Sequence, residues 1–401
     1  LRYAPEVELD EPPAPTVARP TPPGRGRPRR RRTDPLWAKL FVIFGALLML
    51  GAGGSIVGFK LVFAEALSGV HQDHLFGAEG PQHASITGAK NVLLIGLDTR
   101  PNSNPTDLIR SDSIIVVHVS ASHDQAYLVS IPRDTSVEIP AFPKTRFLGQ
   151  REKINAAFAF GNANGGGVAG GSELLIKTIR TLYGIAIDAV AIVDFTGFQQ
   201  VVNVLGGVDM YVDQETTSVH IGWDRNGKET APYKINADTG KISYKVSGVT
   251  PQVYHKGRQH LAPWQALDYV RQRELLPNGD YDRERHQQQF IKAIFKEILS
   301  ADTLTDPIKL KKVLDVVGHS MTVDSGGVSI EDWIFAMKSI GGNDVVTLKT
   351  NNGTFHSTVV NGQEVEALDD NTLAMLAAVR DDTVGTFVVD HPELVTANDG
   401  P

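Results

Sequence analysis

Three segments decide the fold: Asn91–Arg100, NVLLIGLDTR; Arg110–Val119, RSDSIIVVHV; and Gln125–Asp134, QAYLVSIPRD. Each holds a short β-branched and aliphatic run closed by polar or turn-forming residues, so Val92–Leu97, Ser113–Val119 and Gln125–Ile131 read as strands. Ala186–Val193 and Val208–Val212 read the same way. Between and after them the apolar spacing changes to three and four. That spacing predicts helices over Ile154–Phe160, Ser172–Tyr183, Thr196–Leu205, Ala262–Arg271, Asp282–Leu299, Pro307–Val317, Ile330–Ile340 and Asn371–Val379. Caps of the expected kind stand at Ser172, at Thr196, and at Ser329 ahead of Glu331 and Asp332. Residues 214–260 are polar and dotted with glycine, which predicts a long excursion of hairpins. Val345–Lys349 and Ser357–Val360 add two late strands, placed to finish the same sheet. The expectation is an α/β domain, an α-β-α sandwich in which helices cover both faces of a central mixed sheet.

Outward from that body, the chain of 401 residues is 41% hydrophobic, ordinary for a globular protein, and contains no cysteine. The last fact excludes disulfides, thiolate nucleophiles and zinc–thiolate sites. Residues 1–36 are rich in proline and arginine without apolar periodicity and read as a disordered basic tail in the cytoplasm. Leu40–Phe59, LFVIFGALLMLGAGGSIVGF, is bounded by Lys39 and Lys60 and is long enough to cross a bilayer, so residues 37–60 read as a single transmembrane helix acting as signal anchor. A cleaved signal peptide fits less well, because the apolar run is long and follows a long tail. The Arg25–Arg32 run, RGRPRRRR, keeps the N-terminus inside and sends the remainder out of the cytoplasm. Residues 61–88 then read as a juxtamembrane linker and 89–395 as the extracytoplasmic domain. The net charge of −7 includes that basic tail, so the body is more acidic still, which argues against a nucleic-acid partner.

The chemistry clusters at segment ends. Gly96-Leu97-Asp98-Thr99-Arg100 closes the first strand, Arg110-Ser111-Asp112 opens the second, and Ile131-Pro132-Arg133-Asp134 closes the third. Strand ends of this kind are where open α/β sheets bind ligands. Asp98 and Asp112 are placed to hold one hard cation such as Mg²⁺, which takes one or two carboxylates plus waters and phosphate oxygens; turn and cap roles are the alternative. Lys153 and Asn155 start a helix, a setting that favours an anion. Farther on, Tyr269–Gln289 crowds Arg271, Arg273, Arg283 and Gln287 together, and Arg283, Gln287, Ile291, Ile294 and Ile298 share one helical stripe. An inward guanidinium requires an anion, and its fork matches phosphate oxygens; an internal Arg–Asp pair is the competing reading. Arg100, Arg110, Arg133, Arg271, Arg273 and Arg283 together with the acids suit a polyphosphate and phosphoryl transfer. Gly161–Gly167 lacks the ending of a P-loop and reads as room for a substrate, while Gly170-Gly171-Ser172 reads as a flexible loop entering a helix. With no G-x-S-x-G and no H-E-x-x-H, serine-hydrolase and zinc-protease chemistry lack support.

In order along the chain, GLDTR, RSD, IPRD, KIN, the GGVD of Gly206–Asp209, the QALDYVRQR of Gln265–Arg273 and the DYDRERHQQQ of Asp280–Gln289 resemble the LytR-CpsA-Psr family of bacterial envelope proteins. The resemblance covers Asn91–Leu299. It implies a membrane-anchored, Mg²⁺-dependent phosphotransferase, with Mn²⁺ as an alternative ion, moving a glycopolymer from a polyprenyl-pyrophosphate carrier to a peptidoglycan hydroxyl, with an apolar cleft for the lipid. Carried over by position, Asp98 and Asp112 hold the metal. Arg110, Arg133, Arg271, Arg273 and Arg283 grip the pyrophosphate with Gln287 assisting, joined by Arg100, Lys153 and Asp134, the last a candidate for orienting the hydroxyl. The chain departs from the family's D-F-G-R and R-Q pattern at Asp282 and His286, and Arg285 is not counted as the replacement for the missing arginine. A polyprenyl-pyrophosphate hydrolase, a non-catalytic lipid-carrier binding protein and a transcription attenuator are the rival readings.

Overall fold

The computed structural model describes residues 73–81, 85–97, 109–236, 241–298, 300, 306–341, 344–360 and 362–396. The tail and anchor expected at 1–60, most of the linker, and the candidate residues Asp98 and Arg100 lie outside them. Among the described residues no helix is long and apolar enough to cross a membrane.

The elements, in chain order, begin with strands β1 (Lys90–Leu97), β2 (Ser111–Val119), β3 (Ala126–Ser130), β4 (Ser136–Ile139) and β5 (Gln150–Lys153). Helices α1 (Asn155–Asn162) and α2 (Gly167–Tyr183), strand β6 (Ala189–Asp194) and helix α3 (Phe195–Leu205) follow. The excursion comprises β7 (Val208–Val212), β8 (Thr216–Trp223), β9 (Tyr233–Ile235), β10 (Ile242–Lys245), β11 (Thr250–Tyr254) and β12 (Gly257–Leu261). Then come α4 (Pro263–Tyr269), α5 (Gly279–Ile298), α6 (Pro307–Ser320), β13 (Met321–Asp324), α7 (Ile330–Met337) and β14 (Val345–Leu348). A hairpin of β15 (Ser357–Val360) and β16 (Gln363–Glu366) precedes the closing helices α8 (Asp370–Arg380) and α9 (Val384–Asp390).

Six strands form the central sheet in the order β13-β6-β1-β2-β3-β14. It is mixed: β1 runs parallel to β6 and antiparallel to β2, and β14 lies parallel to β3. Alternation along each strand sends side chains to opposite faces. Leu93, Ile95, Ile114, Val116 and Val129 pack under α1, α2 and α8, through Phe158, Leu175, Ile179, Met375 and Val379. On the other face Ile115, Val117 and Leu128 meet Ile291 of α5 and Met337 of α7. The expected sandwich is therefore present, and β14 does finish the sheet. Ser357–Val360 instead pairs only with β16, because its exposed side chains offer the sheet no apolar face. The excursion holds one hairpin, β9 with β10, nested inside two longer-range antiparallel pairs, β8 with β11 and outermost β7 with β12.

Two local readings are corrected. Gly161, Gly166, Gly170 and Gly171 are packing residues: a Cβ on Gly161 would stand 2.2 Å from the Gly170 carbonyl oxygen, and one on Gly171 2.8 Å from the Phe158 ring. They let α1 and α2 touch backbone to backbone rather than opening room there for a substrate, while Gly165 and Gly167 serve the turn between the helices at positive φ. Gly170-Gly171-Ser172 accordingly lies inside α2, and Ser172 is a fully buried interior residue. The cap of α3 is Asp194, whose carboxylate accepts from the Gly197 amide at 2.8 Å, and Thr196 falls within the helix. Ser329 caps α7 as expected, accepting from the Asp332 amide.

Candidate active site

Pairing of β1 with β2 sets Leu97 opposite Ser111, and pairing of β2 with β3 sets Ile115 opposite Ser130. The carboxyl ends of β1 and β3 and the start of β2 thus share one rim of the sheet. Asp112 and Arg133 meet there: Arg133 Nη1 donates to Asp112 Oδ1 at 2.8 Å. Its second arm, Nη2, donates to Asp280 Oδ2 at 3.2 Å, joining the rim to the first turn of α5.

Asp280 gathers two more cations. Arg283, one turn along α5, brings Nη2 to 3.0 Å from Asp280 Oδ1, and Arg273, from the segment between α4 and α5, lies 3.8 Å away through Nη1. Against the penalty of burial, Arg283, Arg133 and Arg273 hold the Asp280 carboxyl below the usual carboxylate range. Arg283 itself is only 8% exposed. Its Nε and Nη2, the Arg133 Nε and the Gln287 Oε1 are all buried without a hydrogen-bond partner among the described residues. The two guanidinium Nε donors left unmatched in this way carry an energetic cost that an arriving anion removes.

Around this centre, Lys153 Nζ pairs with Asp134 Oδ1 at 3.3 Å. Arg110 Nη1 donates to Asn155 Oδ1 at 3.2 Å, while the Asn155 amide donates to the Arg133 carbonyl. Arg271 follows the end of α4, and its charge offsets part of the effect of burial on the carboxyl of Asp268. That carboxylate accepts from Tyr254, Ser218 and Gln272, which locks the Arg271–Arg273 turn to β8 and β11.

The structure brings Asp112, Arg133, Arg273 and Arg283 together, and their common partner is Asp280, which a helix predicted from Asp282 leaves out. The helix begins at Gly279, so Asp280, Arg283 and Gln287 fall at i, i+3 and i+7 on one stripe. Arg285 points elsewhere, to Asp213 through Nε at 2.6 Å and to Asp282 through Nη1 at 2.5 Å. His286, fully buried and stacked on Tyr269 at 4.2 Å, has its pKa lowered by burial to about 4 and is neutral.

A family model described as the LytR_cpsA_psr family matches residues 65–379. The chain belongs to the LytR-CpsA-Psr family. Members of this family are cell-envelope glycopolymer transferases. The chain is 28% identical over 306 residues to the polyisoprenyl-teichoic acid–peptidoglycan teichoic acid transferase TagU of Oceanobacillus iheyensis, covering 75% of this chain and 80% of that one. It is 27% identical over 359 residues to the cell wall biosynthesis protein LcpA of Corynebacterium glutamicum, covering 82% of this chain and 62% of LcpA. Among solved structures, protein gbs0355 from Streptococcus agalactiae aligns with a TM-score of 0.53 at 22% identity, over 74% of this chain and 88% of that one. TagT bound to LIIa-WTA aligns with a TM-score of 0.50 at 21% identity, over 77% and 98%. These two likenesses concern the fold. In this LytR-CpsA-Psr protein the guanidinium next to His286, on Arg285, is committed to the structural pairs with Asp213 and Asp282.

Proposed function

We propose that the protein transfers a glycopolymer from a polyprenyl-diphosphate carrier to a peptidoglycan hydroxyl outside the cytoplasm, leaving a phosphodiester link. The observation that carries this reading is the convergence of Arg133, Arg273 and Arg283 on the one Asp280 carboxylate at the sheet rim. A diphosphate offers those guanidinium forks more oxygens than a single carboxylate does, and it also meets the unmatched Nε groups. Arg110, Arg271, Lys153 and Gln287 complete the grip, joined by Arg100 from the segment after β1. The relatives named above support the choice of substrates, since TagU is a teichoic acid transferase to peptidoglycan.

Asp112 suits a hard cation: its side chain is 27% exposed and only Oδ1 is engaged among the described contacts, by Arg133. Leu97, the neighbour of Asp98, is paired with Ser111, the neighbour of Asp112. In this reading Asp98 and Asp112 hold Mg²⁺, or Mn²⁺, which when bound offsets diphosphate charge. The arginines fix the diphosphate and stabilise charge as the sugar-proximal phosphorus is attacked. Asp134, held by Lys153, helps orient the incoming hydroxyl. Hydrolysis is the same chemistry with water as acceptor, and product analysis with and without an acceptor glycan separates the two.

The test is Arg133→Ala in a purified transfer assay. Loss of one preorganised donor predicts a fall in kcat of about 10²–10³-fold, and unchanged turnover removes the proposal.

A further inference from the structure

Glu284 is a buried acid in the first half of α5. It lies four residues after Asp280, one after Arg283 and three before Gln287, so it falls on the stripe that faces the rim. It is 7% exposed and, among the described residues, forms no hydrogen bond or ion pair. A buried, unpartnered carboxyl is costly and needs a reason.

Its side chain lines an open-mouthed cavity of about 30 Å³, room for roughly two water-sized groups, together with Tyr281, Arg285, Leu348, Thr350 and Thr396. Since β14 runs parallel to β3, the cavity wall after Leu348 stands at the same carboxyl rim as Arg133 and Asp134. Tyr281, Thr350 and Thr396 bring hydroxyls to the lining, and the Thr396 Oγ1 is buried without a hydrogen-bond partner among the described residues. A single incoming hydroxyl fits beside these groups.

We propose that this cavity receives the attacking hydroxyl of the acceptor sugar and that the Glu284 carboxylate takes its proton. The inference rests on the transfer reading above. The acceptor oxygen forms its bond to the sugar-proximal phosphorus, and the bond from that phosphorus to the bridging oxygen breaks. Prenyl phosphate leaves with the electron pair, and the hydroxyl proton passes to Glu284 and then to solvent. Asp134 is less free for this step, because Lys153 already engages it.

The electrostatics agree. Burial pushes the Glu284 carboxyl up to about 8, against the attraction of Arg283. Facing it are Asp280, Tyr281, Arg283 and Arg285 on its own helix, Arg133 and Asp134 after β3, and Lys349 after β14, with Glu366 and Asp213 beyond Tyr281 and Arg285. A carboxyl that titrates near the working pH is well matched to proton transfer.

The experiment compares the full chain with Glu284→Gln and Glu284→Asp in detergent. The substrates are a polyprenyl-diphosphate-linked N-acetylglucosamine disaccharide and a soluble peptidoglycan strand, with kcat followed from pH 6 to 9. The unsubstituted protein gives a kcat that rises with pH through about 8. Glu284→Gln loses that rise and about 10²-fold or more in kcat, with the Kd for the lipid diphosphate unchanged. Glu284→Asp keeps a rise at lower kcat, and decides the matter should the Gln variant fail to fold. A Gln variant with wild-type kcat or an intact pH rise overturns the inference, as does a loss of lipid binding in step with kcat. An Asp profile identical to the wild type overturns it equally. Failure of the transfer reading itself shows separately, as no transfer by the unsubstituted protein, and takes this inference with it.

Discussion

Asp280 is an acid whose neighbours are almost all arginines, and that decides what happens when its charge is removed. Its side chain is 20% exposed, and it balances Arg283 at 10% and Arg133 at 16% exposure. Asp280→Asn strands those cations, with an expected loss of about 2–3 kcal/mol at pH 7, below the full penalty for a completely buried pair. Because the native carboxyl is held below its ordinary range, its contribution is complete above about pH 4 and disappears as pH falls through the native value. Urea unfolding of both proteins from pH 7 down to pH 3 should therefore show a gap that closes in acid. Equal stability at pH 7 contradicts the role given to Asp280. The inward stripe on α5 was legible from the spacing of Arg283 and Gln287. The internal counter-ion was not, because an Arg–Asp pair and an Arg–phosphate pair leave the same spacing in a sequence.

At the scale of elements, α1 and α2 show how glycine misleads when read locally. Gly170-Gly171 looks like loop, since glycine lowers helix propensity, yet both residues lie inside α2. Here the gain from close helix contact outweighs that cost. Gly161→Ala forces a methyl group into the Gly170 carbonyl, 2.2 Å from the ideal Cβ position, and the helices must part. The expected loss is about 1–3 kcal/mol, read as a lower denaturant midpoint with an unchanged slope. A wild-type midpoint would show that the interface is loose. Strand limits, by contrast, were read to within a few residues, because β-branched runs between turns are a local signal. Helix starts were harder: α5 opens at Gly279 rather than Asp282, and the cap of α3 is Asp194 rather than Thr196. Each turns on one side chain's geometry.

For the whole molecule, the site exists because segments far apart in the chain end at one rim. Asp112, Arg133, Arg273, Asp280 and Arg283 come from β2, the end of β3, the turn after α4 and the start of α5. The anchor and tail belong to this scale too. Basic residues before the Leu40–Phe59 span predict a body outside the cytoplasm. Protease added to wall-stripped cells should digest the domain while a cytoplasmic control survives; protection of the domain reverses the topology.

The sequence alone determined the alternation of strands and helices, the membrane-anchor expectation and the family motifs, since these are periodic or contiguous signals that the chain carries locally. Only the tertiary structure decided that Asp280 is the common partner of three arginines, that Gly161, Gly170 and Gly171 bring two helices together, and that Glu284 is buried beside a small cavity at the sheet rim. Those facts depend on which residues distant in the chain become neighbours, and burial and electrostatics act through space rather than along the backbone.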